Sequence, residues 1–393
     1  METQETGTGR GWWRRFGPAA AVAAAAALHV ALVLRRYPPA LLWRGEIPFH
    51  GDIYRYFATA QAAARCGGLY GYDPFFMAGY PVGLWNSIGK KGFEMAHLLL
   101  PGLPFPALFY LALVVVPIVA PVVLWIGLRA RWPTARGRLG LLLLILAYWH
   151  LDTHTAYFWG FGNVFFPGTA CLVPLMALAF WNLLEGRRRW LSAAALGLMA
   201  GAAAYTHPVV LVAAAVASAA AAAFRPRALA AGRTWLALTL AAGVFVLLTA
   251  AWLTPLWQNR HDCVPSPHPF LQGSWKHFFM DFFSDRGYRH RFDRTFLLHA
   301  AVALGGAGTV LAWRARRWLA ALGSAGFGCL ALAYAGSHVP YLTFLQPYRF
   351  LIPATMLLLA PLAAGGEWML AAWSRGGAAA RRLAAVAALL LLP

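Results

Sequence analysis

The chain has 393 residues, is 60% hydrophobic and carries only 12% charged residues, about half the charge of an ordinary soluble domain. Its formal net charge of +20 sits in short clusters between apolar blocks. That placement argues against a nucleic-acid surface and for topology signals facing anionic headgroups.

The apolar blocks fall at about 17–34, 105–128, 139–151, 164–184, 190–206, 208–224, 234–254, 297–313, 318–336, 350–372 and from 383 onward, mostly of the length a helix needs to cross about 30 Å of hydrocarbon. Their Ala and Leu content and the lack of short alternating segments argue against a β-barrel. The fold class expected is all-α: a polytopic transmembrane bundle of about 11 spans forming one domain over 1–393. The last block is cut at Pro393, as in a piece of a longer protein. The first block, basic residues followed by an Ala-rich core, is read as an uncleaved helix rather than a signal peptide.

The loops alternate in charge. Short loops carrying Arg10, Arg14 and Arg15, the arginines at 129–138, 187–189, 225–233 and 314–317, and Arg375, Arg381 and Arg382 hold most of the basic residues. These loops are expected on the cytoplasmic side, with the N-terminus. Asp52, Asp73, Glu94, Asp152, Asp262, Asp281, Asp285 and most histidines fall on the opposite side. Polar groups at a membrane edge are costly unless a cavity solvates or pairs them, so an outward-opening polar cavity is expected, periplasmic or extracellular.

The first outer loop, about 35–104, is long enough to carry structure of its own. Asp52 is placed to cap a helix over 53–65, and Gly67-Gly68 to end it. Ile53, Tyr56 and Phe57 share one face of that helix, which suits lipid or the bundle. The following stretch, Tyr72-Asp73-Pro74-Phe75-Phe76-Met77-Ala78-Gly79-Tyr80-Pro81, has the turn-rich aromatic composition of a pocket wall. Lys90 and Lys91 either hold a lipid phosphate or snorkel as anchors. Asp152 and His154, in the second outer loop, are weak candidates for a metal site, and a hydrogen-bonded loop is the plainer reading. Four cysteines are too few for a disulfide scaffold. Cys171 and Cys329 read as core residues, whereas Cys66 and Cys263 fall on outer loops.

His207-Pro208 divides one long apolar stretch into two spans. The outer loop 255–296 carries His261, Asp262, His268, His277, Asp281 and Asp285 beside Arg286, Arg289, Arg291 and Arg294. Gln346-Pro347-Tyr348-Arg349-Phe350 then opens a span, and Arg349 there suits either an anionic ligand or the interface.

A first span followed by Asp52, then a helix with Tyr56 four residues on, resembles the GT-C superfamily of membrane glycosyltransferases. Tyr72-Asp73-Pro74 with Gly79-Tyr80-Pro81, Thr206-His207-Pro208 and Tyr348-Arg349-Phe350 resemble a GT-C-like group sometimes called the 6-pyruvoyl-tetrahydropterin-synthase-related membrane proteins. The resemblance implies transfer of a sugar from a polyprenyl-phosphate donor to a lipid, glycan or protein acceptor on the outer face, with Asp52 as the catalytic base. Arg349 with Lys90 or Lys91 would meet the leaving phosphate, Asp73 and Glu94 would orient hydroxyls, and Tyr80 and Trp85 would stack on sugar rings. Tyr56 and His207 complete the expected substrate-binding set. Ile53 stands where several GT-C families carry a second acid, and Asp152-Thr153-His154 where others carry an acid pair, so the sequence implies no specific cofactor beyond a possible divalent metal. The competing readings are a transporter or lipid flippase, and a non-catalytic membrane subunit.

Overall fold

The structure, a computed structural model, describes residues 8–46, 53–65, 71–73, 80–82, 99–258, 273–283 and 296–374. Among them the chain is overwhelmingly helical, and seven helices are long and apolar enough to cross a membrane. Those lengths and compositions are the mark of an integral membrane protein.

The order is α1 (Thr8–Arg36), α2 (Ala40–Arg44), α3 (Ile53–Arg65), β1 (Gly71–Asp73), β2 (Tyr80–Val82), α4 (Phe105–Arg129), α5 (Ala135–Leu151), α6 (Thr153–Gly160), α7 (Phe165–Ala170), α8 (Leu172–Glu185) and α9 (Arg189–Thr206). Then come α10 (Val209–Phe224), α11 (Pro226–Leu229), α12 (Gly232–Gln258), α13 (Trp275–Phe283), α14 (Phe296–Ala315), α15 (Arg317–Ala335), three 3-10 turns and α16 (Leu351–Ser374).

The expected apolar blocks from 17–34 to 350–372 are helices, and the one from 383 lies outside the described residues. Seven candidate spans are fewer than the eleven expected. One reason is length: α5 has 17 residues and α10 has 16. The third shortfall, α9, opens on Arg189 and is diluted by Ala, Gly and Ser. The two short strands are a departure from an all-helical chain. They pair antiparallel, with Tyr72 opposite Pro81 and Asp73 opposite Tyr80.

The helix ends sort the polar residues into two groups. At one end Glu185 bridges Arg225 at 2.8 Å and Arg131 at 3.5 Å, tying together the ends of α8, α10 and α4. Nearby, the Trp132 indole donates to Glu367 at 2.9 Å. Glu185 and Glu367 are therefore paired with groups of this same end. At the other end lie Asp152, His154, His207 and Arg349. The basic loops and the polar outer residues thus occupy opposite ends of the bundle, as the charge pattern requires.

Between the ends the core is aromatic and small-residue packing. Trp149, Tyr37, Tyr148, Phe109 and Phe166 are fully buried, while Leu236, Val246 and Leu247 of α12 point outward, as lipid-facing residues do. The contact of α14 with α16 is the most extensive among the described elements. It is close because Gly308 and Gly365 let backbone meet backbone. A Cβ on Gly308 would lie 1.9 Å from the Pro361 carbonyl oxygen, and one on Gly365 would lie 2.3 Å from that of Leu304. Small residues serve this way where lipid offers helices no hydrophobic drive to associate.

Deep in the bundle His29 Nδ1 lies 2.8 Å from His150 Nε2, and His29 Nε2 lies 3.2 Å from the Ile118 carbonyl. The carbonyl only accepts, so His29 carries its proton on Nε2 and accepts from His150 through Nδ1. The pair gives His29, which lies within the first apolar block, a hydrogen-bond partner for each ring nitrogen.

Candidate functional site

The end of the bundle opposite the arginine clusters is built where α1, α6, α7, α9 and the turn before α16 converge. The chain leaving α1 is anchored there by three hydrogen bonds. The Tyr37 hydroxyl donates to the Trp159 carbonyl at 2.6 Å, the Arg36 guanidinium donates to the Gly160 carbonyl at 2.9 Å, and the Tyr110 hydroxyl donates to the Tyr37 carbonyl at 2.7 Å. Arg36 thereby places positive charge at the C-terminal end of α6, where the helix dipole favours it.

The segment 152–163, expected as a loop, is largely helix α6. The reason is local: the Asp152 carboxylate accepts the Thr155 backbone N–H at 2.8 Å, capping the helix. The capping carboxylate is 2% exposed. With Asp152 so used, His154 faces elsewhere, and its Nε2 lies 2.8 Å from the Tyr348 hydroxyl. Among the described residues no three His, Cys, Asp or Glu side chains group as metal ligands.

Two residues past the end of α6, Gly162 has a φ of +92°, which a side chain adopts only with strain. A Cβ there would also lie 2.1 Å from Ile53 Cγ1. Gly162 is thus the seat for the fully buried Ile53 at the start of α3. Phe57, one turn on, packs on Phe105 and Phe109 of α4, with ring centroids 5.4 and 5.3 Å away. Ile53 and Phe57 of α3 therefore lie against the bundle, one of the two placements the pattern allowed.

The centre of the site joins two motifs far apart in sequence. Arg349 Nη1 lies 2.8 Å from His207 Nε2. Guanidinium only donates, so Nε2 accepts and the imidazole proton sits on Nδ1. That buried Nδ1 has no hydrogen-bond partner among the described residues. The His207 ring stacks on Phe166 at 4.1 Å, and the Arg349 guanidinium carbon sits 5.7 Å from the centre of the same ring. Burial first, and then the adjacent guanidinium, push the His207 imidazole well below its usual range. It is neutral, and it accepts from the Arg349 guanidinium through Nε2.

Arg349 is presented by a strained turn. Gln346 has φ 54° and ψ 71°, and it precedes Pro347, which disfavours compact backbone at the residue before it. Such strain persists only where the surroundings hold it. The surroundings are aromatic: Tyr348 packs against His277 of α13 at 5.1 Å and Tyr334 of α15 at 6.3 Å. His277 Nδ1 in turn lies 2.9 Å from the Ser274 hydroxyl. Beneath, the Thr169 hydroxyl reaches that of Thr206 at 2.6 Å, joining α7 to the residue before His207.

Of the residues expected from sequence, the structure joins His207 to Arg349, and His154 to the neighbouring Tyr348. Tyr56, Asp73 and Tyr80 lie on described backbone in α3, β1 and β2. Asp52, Trp85, Lys90, Lys91 and Glu94 lie outside the described residues, as do Cys66 and Cys263. Sequence reading did not single out Phe166 or Ser274, and it mentioned Tyr348 and His277 without assigning them roles. Only Tyr348 had a local signal, its place between a proline and Arg349. Compared with family models and with curated proteins, the chain matches none.

Proposed function

We propose that this chain is a membrane glycosyltransferase of GT-C type. It moves a sugar from a polyprenyl-phosphate-linked donor to a lipid, glycan or protein acceptor on the side away from the cytoplasm, with the N-terminus cytoplasmic. The observation that supports the reading best is the meeting of His207 and Arg349 at 2.8 Å, at the end of the bundle that holds Asp152 and His154. The Arg349 guanidinium is a cation with several N–H donors. It is a suitable partner for a phosphate leaving group, whose charge grows as the glycosidic bond breaks.

In this reading Asp52 takes the proton of the acceptor hydroxyl as its oxygen attacks the anomeric carbon, and the polyprenyl phosphate leaves toward Arg349. Lys90 or Lys91 would assist at the phosphate, and Asp73, Glu94, Tyr80 and Trp85 would hold the sugars. Ile53, the residue after Asp52, is buried against Gly162 at the edge of α6, which suits a fixed start to α3.

The test is sugar transfer by purified protein across a panel of polyprenyl-linked donors, comparing the native chain with Asp52→Asn and Arg349→Gln. Transfer should fall about 100-fold or more in Asp52→Asn, the scale of a lost general base, while the protein stays monodisperse. Full activity in that variant removes Asp52 from the mechanism. Flipping or uptake in liposomes without any transfer would replace the enzyme reading with a transporter.

A further inference from the structure

A second site lies at the arginine-rich end, away from the His207–Arg349 site. A groove of about 610 Å³ runs between α4, α8 and α9, within the range of small-molecule sites. Its mouth is lined by Arg131, Arg187 and Arg188, and its floor by Leu175, Leu178 and Met199. Met199 lies ten residues beyond Arg189, the start of α9, or about 15 Å along the helix. Leu175 is equally far from Glu185 on α8. That depth is about half the hydrocarbon thickness, the reach of one leaflet.

The two parts of the groove therefore match a molecule with an anionic head and an apolar tail of one leaflet's length. Arg187 and Arg188 are exposed, and neither has an ion-pair partner among the described residues. Arg188 is held at φ 44° and ψ 43°, a left-handed conformation costly for a residue with a long side chain. Arg131 contacts both Asn182 and Glu185, but both contacts fall on Nη2 of a group with five N–H donors. On the groove side Ala195 and Ser192 keep α9 slim, so the cleft between the helices stays open.

We infer that this groove binds one anionic phospholipid of the adjacent leaflet, its phosphate held by Arg187, Arg188 and Arg131 and an acyl chain laid along Leu175, Leu178 and Met199. The site is independent of the sugar-transfer reading.

The test is native mass spectrometry of the delipidated full chain, titrated separately with phosphatidylglycerol, phosphatidylcholine and a polyprenyl phosphate. Phosphatidylglycerol should bind at least about tenfold more tightly than phosphatidylcholine, given the worth of basic residues beside anionic lipid. Arg187→Gln with Arg188→Asn should lose that preference, and Asn suits the left-handed backbone, so folding is kept. Ala195→Phe, which fills the cleft while leaving every charge, should weaken binding similarly. Arg314→Gln with Arg317→Gln, at the same end but outside the groove, should leave it unchanged. Equal loss in that control would mean diffuse attraction and overturn the site. So would equal binding of phosphatidylcholine, unaltered binding in Ala195→Phe, or a preference for the polyprenyl phosphate.

Discussion

His207 sets the chemistry at the residue scale because two effects act on it in the same direction. Full burial disfavours an imidazolium, and the Arg349 guanidinium 2.8 Å away disfavours it further. In the unfolded chain the same histidine titrates near pH 6.5. The unfolded state thus binds a proton below that pH that the folded state refuses, so the contribution of His207 to stability is fully present above about pH 6.5 and is lost as the pH falls. Thermal unfolding in detergent, followed from about pH 7.5 to about pH 5, should show a decline in the native chain that is shallower in His207→Gln. Glutamine keeps an acceptor for Arg349 and removes the titration. Equal slopes in the two proteins would mean that His207 is protonated or solvated in the folded state.

At the scale of elements, the packing of α14 on α16 is the most sensitive to a single methyl group. A methyl on Gly308 has no room beside the Pro361 carbonyl, whereas nothing lies within 4 Å of one placed on Gly366 of the same pair. Gly308→Ala should lower the melting temperature by an amount corresponding to about 1–3 kcal/mol, the usual cost of overpacking. Gly366→Ala should be neutral or stabilising, since alanine is the better helix former by up to about 1 kcal/mol. Equal effects at the two sites would mean that the helices are not in close contact. Such contacts were not legible in the sequence, where GGAG at 305–308 looks like any small-residue run. Apolar blocks were legible, because bilayer thickness fixes their length whatever their neighbours. α6 was missed as a helix although its cap was visible, since Asp152-Thr153-His154 drew attention as a possible ligand pair. The His207 to Arg349 contact spans 142 positions. Sequence supplied both residues as candidates for one site, but only the fold brings their side chains together.

At the scale of the whole molecule, the separation of charge has a structural counterpart that the loop count did not reveal. The arginine-rich end is closed by its own acids: Glu185 joins the ends of three helices through Arg131 and Arg225, and Glu367 accepts from Trp132. The opposite end carries a guanidinium on a neutral imidazole and the ring cluster around Tyr348. One end is thus fastened and flanked by surplus arginine, and the other holds polar groups that suit ligands. The positive-inside rule is the basis for proposing the first end as cytoplasmic, because it has dense arginine in short loops. The prediction is a labelling asymmetry in a background with the four native cysteines replaced. Val339→Cys, exposed in the turn after α15, should react with a membrane-impermeant maleimide in intact cells. Arg188→Cys, exposed between α8 and α9, should react only after permeabilisation. The reverse pattern would invert the bundle and move the His207–Arg349 site to the cytoplasmic face, where the donor and acceptor proposed for it would have to be sought instead.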